Sequence, residues 1–362
     1  MMRETIGAAV IGCGAIARKK HIPTLLDHPN IQIQMLCSRN IDSARQCRQE
    51  FGCWTAELTQ DVEKVFSHPD VDLVIITSPT STHEEYAIRA MKAGKHVLCE
   101  KPMADTAAGA RRMLEVSAQT NRLLHISYQN RYTDQALCAK ELVEAGTLSD
   151  IYYAKAYAIR RRGLPTWVES AGPGNGPLLD IGSHAIDLAL WLSGSFEPVC
   201  TLGAACRQIV ERGSRANLWG PWDSSQYKAE DLAVGLVRMK NGLTLSVEAS
   251  YALNSSEEKE NSVDLYGAGG GLELRQDGLA LIQERGGRIF VARDRIQMTP
   301  RSLTPEFTGA SPSRRELDGI VGLLLEGRID DPSARQAVVV SEIVEALYHS
   351  AETNEAVQWD DP

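Results

Sequence analysis

The chain has 362 residues and a formal charge of −9, with 43% hydrophobic and 23% charged residues. That length exceeds one ordinary hydrophobic core and implies two domains, and the negative balance works against nucleic acid or an anionic membrane surface as a partner. No apolar run approaches a membrane span, and the first five residues lead straight into a strand-like run, so a cytoplasmic protein is expected. Residues 6–11 (Ile-Gly-Ala-Ala-Val-Ile) are continuously apolar, as a strand covered on both faces must be. Similar runs recur at 31–37, 71–77, 96–99 and 123–127, separated by helical patterns at 15–26, 42–50, 82–93 and 106–119. Gly94 stands where a helix C-cap belongs, with Lys92 in the turn before it. Such alternation predicts right-handed βαβ units on a parallel sheet.

After about Tyr128 the rhythm changes. One more helical pattern, 136–144, ends at Gly146, and strands then dominate. Residues 232–240 and 243–252 flank Asn241-Gly242, which predicts a hairpin closed by a two-residue turn with positive φ angles. Further strands are predicted at 263–266, 272–275, 280–283 and 288–292, so this half should be an antiparallel sheet with one face to cover. Residues 333–351 return to helical periodicity. The eight cysteines include no Cys-x-x-Cys pair and no zinc-finger spacing. They are read as small hydrophobes rather than as a disulfide framework or a metal site.

Gly12-x-Gly14-x-x-Ala17 falls between a predicted strand and a predicted helix, the context in which such residues hold a dinucleotide. Gly12 allows the turn, Gly14 lets backbone approach a pyrophosphate, and Ala17 lets helix and strand pack closely. The helix N-terminus then offers N–H groups to the phosphates. The second strand runs out as Ser38-Arg39, where an NAD site usually carries an acid. Ser38 and Arg39 can bond a 2′-phosphate, which favours NADP; Arg39 stacked on adenine alone would suit NAD as well.

Lys101 follows the apolar run 96–99 and precedes Pro102. It therefore sits at the sheet's C-terminal edge, where ligands of such folds bind. A partly desolvated lysine there suits proton transfer; the alternative is a cation that neutralises cofactor phosphates. In the second half, a Gly/Pro loop at 172–177 leads into Leu178-Leu179-Asp180-Ile181-Gly182-Ser183-His184. Asp180 and His184 are four apart and share a face if the segment is helical. Either they form a site beside the flexible loop, or His184 is a satisfied core residue.

These motifs together resemble the Gfo/Idh/MocA oxidoreductases. Gly12-x-Gly14-x-x-Ala17, Glu100-Lys101-Pro102 and Asp180-x-Gly182-x-His184-x-x-Asp187 carry the resemblance, with Asn130-Arg131 and Ala145-Gly146-x-Leu148 in support. It implies an α/β protein with a Rossmann NAD(P)-binding domain over 1–128. A C-terminal α/β domain over 129–362 would carry a large, mostly antiparallel open sheet, with the helix near 333–351 packing back on the first domain. Members move a hydride between NAD(P) and a ring secondary hydroxyl or ketone of a sugar, glycoside or cyclitol. The resemblance assigns catalysis to Lys101, Asp180 and His184, with His184 or Lys101 taking the hydroxyl proton, and it expects a cis peptide before Pro102. Cofactor contacts are expected at Gly12, Gly14, Ile16, Ala17, Ser38, Arg39, Thr77, Pro79, Glu100 and Lys101. Substrate contacts are expected at Tyr128, Asn130, Arg162, Trp167, Asp180 and His184, with no metal.

The run Arg160-Arg161-Arg162-Gly163-Leu164-Pro165-Thr166-Trp167 resembles a subgroup in which this loop enters the site; a solvated basic run is the alternative. Trp219 and Trp222 lie in a long connection and suit either a sugar face or a subunit contact. Two other functions stay open: glycoside cleavage through transient oxidation, and a non-catalytic sugar-binding regulator. Retention of Lys101, Asp180 and His184 together argues against the regulator. An open sheet with an uncovered face implies a homo-oligomer, a dimer or tetramer.

Overall fold

The computed structural model describes residues 5–165, 174–213, 216–220, 222–223, 225–294 and 310–359. The chain divides into two compact units, Met1–Tyr132 with Gly309–Ser341, and Thr133–Thr308 with Glu342–Pro362.

The first unit opens with β1 (Ile6–Ile11), a π-helical turn (Ala17–His21), α1 (Ile22–Asp27), β2 (Ile31–Cys37), α2 (Ile41–Phe51), β3 (Glu57–Thr59), α3 (Val62–Ser67) and β4 (Leu73–Ile76). It continues with α4 (His83–Lys92), β5 (His96–Glu100), α5 (Ala107–Thr120) and β6 (Leu124–Ser127). All six strands pair in parallel, in the order β3-β2-β1-β4-β5-β6. Every residue of β1 and β4 is buried, which is why these strands appear in the sequence as unbroken apolar runs. The helices begin at side-chain caps: Asn40, Asp61 and Thr106 each accept a backbone N–H of the first turn. The sequence pattern missed β3 and α3, because a three-residue edge strand and a six-residue helix carry too little periodicity.

The second unit contributes α6 (Asp134–Glu144), β7 (Ile151–Ile159), a π-helical turn (Leu178–Gly182), α7 (Ser183–Ser193), β8 (Pro198–Cys206) and α8 (Gln208–Glu211). Then come β9 (Leu232–Met239), β10 (Thr244–Ser250), β11 (Lys259–Gly267), β12 (Gly270–Arg275), β13 (Gly278–Arg285) and β14 (Arg288–Asp294). The chain closes with α9 (Pro312–Leu325), α10 (Ser333–Thr353) and β15 (Val357–Gln358). Nine strands form one sheet, β14-β13-β12-β11-β7-β10-β9-β8-β15, antiparallel except between β7 and β10. Ala154, Ala156 and Ala158 are fully buried on the face that α7 covers. On the opposite face Leu202, Val234 and Leu236 are exposed.

One expectation about local structure needs correction. The β9–β10 hairpin does not close with a two-residue turn: Met239 N–H reaches Leu243 O at 2.8 Å, and Gly242 N–H reaches Met239 O at 3.0 Å. Only Gly242 takes a positive φ, +90°; the three-residue loop is preferred because the Asn241 amide oxygen accepts from Leu243 N–H and Ser195 Oγ. The stretch before residue 333 also holds a helix, α9, which counts with the first unit. Its Leu317, Ile320 and Val321 lie at helical spacing and join the core built by β1 and β2.

Candidate active site

The order of the parallel sheet reverses between β1 and β4, and the Gly12–Ala17 turn leaves β1 at that point. Gly12 takes φ +101°, and a Cβ there would lie 2.7 Å from Ser78 N. Close approach of the chain leaving β4 therefore demands this glycine, and Thr77 Oγ1 donates to Gly12 O at 2.6 Å across the gap. Gly14 is the reverse case: no atom lies within 4 Å of where its Cβ would stand. That space suits a pyrophosphate above the first helical turn, and Ala17 is fully buried beneath it. Ile16 is 37% exposed beside the same turn. Arg18 was not foreseen; it bonds Cys13 O, Ser43 O and Glu50, and so ties the turn to α2.

Ser38 and Arg39 follow β2, with Arg39 exposed. Ser38 N–H donates to Thr59 O at 3.0 Å, and Arg39 O accepts from Gln60 Nε2 at 2.9 Å, so the neighbouring edge holds this backbone. Pro79 precedes a short 3-10 turn after β4. These residues fit an NAD(P) dinucleotide.

Lys101 is half-buried just past β5, and its peptide bond to Pro102 is cis. The Glu100 side chain turns to protein donors. Its Oε1 accepts from Lys20 Nζ at 3.0 Å and from His21 Nε2 at 2.7 Å, and its Oε2 accepts from Lys101 N–H at 3.2 Å. Both oxygens are committed to protein donors, because a carboxylate this deeply buried must be paired. Lys20 also pairs with Glu316 at 3.3 Å, and Glu316 accepts from Ser127 Oγ and His125 Nε2. Asp331 receives His125 Nδ1 at 2.5 Å.

Charge is shared around this cluster. Burial would raise Glu100, but Lys20 and His21 hold it well below the usual carboxylate range. Burial works in the same sense on Glu316, yet Lys20 and His125 bring it to about 2. For His125, burial favours the neutral ring, but Asp331 lifts it to about 9. Tyr128 is buried. Only 2% exposed and lying under the Arg131 guanidinium, its ring belongs to the first unit's core, while Asn130 is half-buried in the turn after β6.

In the second unit Asp180 lies in the π-helical turn and His184 in the first turn of α7, both half-buried. The wider winding means they are not simply one α-helical turn apart. Gly182 lets this segment approach β10, since a Cβ there would meet Ala249 Cβ at 3.1 Å. From the end of β10, the fully buried Tyr251 donates its hydroxyl to Asp180 Oδ2 at 2.6 Å. Burial pushes this phenol well above its usual range, with Asp180's charge adding to the effect, so it stays a donor. Tyr251 was missed in the sequence, where it is only the last aromatic of a strand.

Arg160 is the arginine of the basic run that packs on Tyr251, the residue bonded to Asp180. It is 7% exposed, stacks toward Tyr251 at 5.7 Å, and its charge is met by Glu260. Arg162 is instead spent on Asn254 Oδ1 at 2.6 Å and on nearby carbonyls, and Arg161 is exposed. Trp167 lies outside the described residues. Glu230, also unforeseen, is buried against Gly176 and accepts from Tyr348 at 2.6 Å; burial raises it. Among the described residues no cluster of His, Cys, Asp and Glu could hold a metal ion, and no helix is long and apolar enough to cross a membrane.

Residues 6–128 match the family model described as an oxidoreductase family with an NAD-binding Rossmann fold, and residues 137–273 match the GFO/IDH/MocA C-terminal domain. The chain belongs to the Gfo/Idh/MocA oxidoreductases. It is 27% identical to the D-glucoside 3-dehydrogenase of Escherichia coli (strain K12) over 361 residues, 99% of each chain. With scyllo-inositol 2-dehydrogenase (NADP(+)) of Bacillus subtilis (strain 168) it shares 29% over 210 residues, 58% of this chain and 57% of the other. Its fold matches that of levoglucosan dehydrogenase in complex with NADH and levoglucosan at a TM-score of 0.79, with 21% identity over 98% of this chain and 99% of the other. These three relatives are named as dehydrogenases of a glucoside, an inositol and levoglucosan, and this protein is an enzyme of the oxidoreductase family.

Proposed function

We propose that the protein is an NAD(P)-dependent dehydrogenase that oxidises a secondary ring hydroxyl of a neutral sugar or glycoside. The observation that carries this reading is Asp180, held by the buried Tyr251 hydroxyl at 2.6 Å beside the half-buried His184. A carboxylate positioned by a buried phenol is suited to orient a substrate hydroxyl, and an imidazole nearby is suited to take its proton. When bound, the dinucleotide supplies the hydride acceptor. Lys101, half-buried at the end of β5 and braced through its backbone by Glu100, is the other group suited to move that proton.

Neutral substrates are favoured over hydroxy acids because the arginine packed on Tyr251 is already neutralised. A carboxylate would need a free guanidinium clamp, whereas Arg160 is paired with Glu260. Similarity to a D-glucoside 3-dehydrogenase over 99% of both chains supports a sugar derivative. The exposed Arg39, with Ser38 in place of an acid, supports NADP over NAD. A second copy of the chain would cover the sheet face that exposes Leu202, Val234 and Leu236, making a homo-oligomer.

The test is cofactor reduction, followed by absorbance, with NAD⁺ and NADP⁺ against sugars, cyclitols, glycosides and simple hydroxy acids. Turnover of a sugar or glycoside is expected, with the better kcat/KM on NADP⁺. Activity on hydroxy acids alone would overturn the reading.

A further inference from the structure

Trp219 is 54% exposed, yet its indole is held in place. One face lies over the guanidinium of Arg160, whose central carbon is 4.3 Å from the ring centre. The loop carrying the indole is pinned on both sides. Asn217 donates its amide to Leu164 O at 2.9 Å and accepts Leu164 N–H at 3.1 Å. Leu218 N–H donates to Arg162 O at 2.9 Å. Arg160 is fixed in turn by Glu260, by Gly163 O at 3.3 Å and by the ring of Tyr251 at 5.7 Å. Tyr251 is the residue that bonds Asp180. The exposed indole thus ends a stack of ordered groups that starts at Asp180.

We propose that the outward face of Trp219 is the platform on which the aglycone or second ring of a glycoside stacks, so that the substrate is a glycoside rather than a free sugar or a cyclitol. This rests on the function proposed above. The ring that Asp180 orients cannot be the ring on Trp219, because Arg160 and Tyr251 intervene. Arg160 lies between the two aromatic rings, its guanidinium 4.3 Å from the centre of Trp219 and 5.7 Å from that of Tyr251, so the platform stands one guanidinium beyond the residue that bonds Asp180. An aromatic face with no net charge beneath it takes a sugar's C–H face or an aryl group, since Glu260 cancels the charge of Arg160. Leu218, 77% exposed, extends the apolar surface. Because the indole is already ordered, a ligand does not have to immobilise it on binding.

Glucose, methyl glucoside and phenyl glucoside would be compared with the wild type, Trp219→Ala and Trp219→Phe. The wild type should have its highest kcat/KM on the phenyl glucoside. In Trp219→Ala the ratio of kcat/KM for phenyl glucoside to that for glucose should fall about tenfold, the size of one aromatic stacking contact. The loss should appear in KM, and Trp219→Phe should restore most of it. An unchanged ratio would overturn the proposal, as would equal losses on all three substrates or a change of oligomeric state with selectivity intact. If the wild type turns over none of the three, the proposed function itself fails, which is a separate outcome from a wild type that works and a ratio that does not move.

Discussion

Two polar clusters, one in each unit, solve opposite problems. Around Lys20, Glu100, Glu316, His125 and Asp331 the charges are buried and paired with one another. Around Asp180, His184 and Arg160 the central acid and imidazole are half-buried, and only the supports, Tyr251 and Arg160, are sunk in the core. The first arrangement spends its hydrogen bonds on holding the end of β5, where Lys101 begins. The second holds its acid with a buried phenol while the acid itself stays half-buried. The contrast teaches that burial is used in two ways, sinking every charge in one cluster and only the supports in the other.

Breaking the closed cluster should produce the largest effect. Lys20→Met leaves Glu100 and Glu316 without their shared cation. Urea unfolding should then show a loss of about 3–5 kcal/mol, as removal of one partner from a buried charge cluster does. A loss below about 1 kcal/mol would mean that the cluster is solvated.

The same cluster predicts how stability follows pH. His125 is lifted from its ordinary 6.5 to about 9, so its contribution is complete below pH 6.5 and is lost as pH rises through 9. The shift corresponds to about 3 kcal/mol at most. Glu316, held at about 2 against an ordinary 4.5, contributes above pH 4.5 and fails as pH falls toward 2. Stability measured by unfolding across pH should therefore be highest between 4.5 and 6.5, and His125→Gln should flatten the alkaline side.

The open cluster should respond in rate rather than stability. His184→Ala should lower kcat by about a hundredfold, the size of a lost general base. Unfolding free energy and cofactor affinity should change little, as fluorescence titration would show. Near-normal turnover would remove His184 from the proton path.

Tyr251→Phe sharpens the comparison with the smallest change, a single oxygen. Without the phenol donor to Asp180, kcat should fall about tenfold, the value of a hydrogen bond to a charged group. The acid limb of the kcat/KM profile should move to higher pH, because a donor favours the ionised carboxylate. A fall in kcat with the pH profile unmoved would reduce Tyr251 to a packing residue.

Much of the first unit was legible because parallel strands buried on both faces must be apolar throughout. Ile6–Ile11 and Leu73–Ile76 announce themselves without any knowledge of their neighbours. The edge strand Glu57–Thr59 does not, since one exposed side frees its composition. Gly12 and Gly14 were both visible, but for unlike reasons: one avoids Ser78 and the other leaves space. Asn241-Gly242 marked the right place and the wrong turn, because side-chain bonds from Asn241 decided between two closures of similar cost.

By itself the sequence determined the alternation of elements and the glycine turn after β1, and it singled out Lys101, Asp180 and His184 through their resemblance to the family's motifs. The first two follow from residue type and short spacing, which local physics controls. Only the tertiary structure decided that Glu100 turns inward to Lys20, that Tyr128 is core, that Arg160 packs on Tyr251, and that Tyr251 grips Asp180. Two of these depend on a hydrogen-bond partner distant in the chain, 80 residues away for Lys20 and Glu100 and 71 for Asp180 and Tyr251. A buried polar group must find its partner in space, and no local pattern records which one it finds.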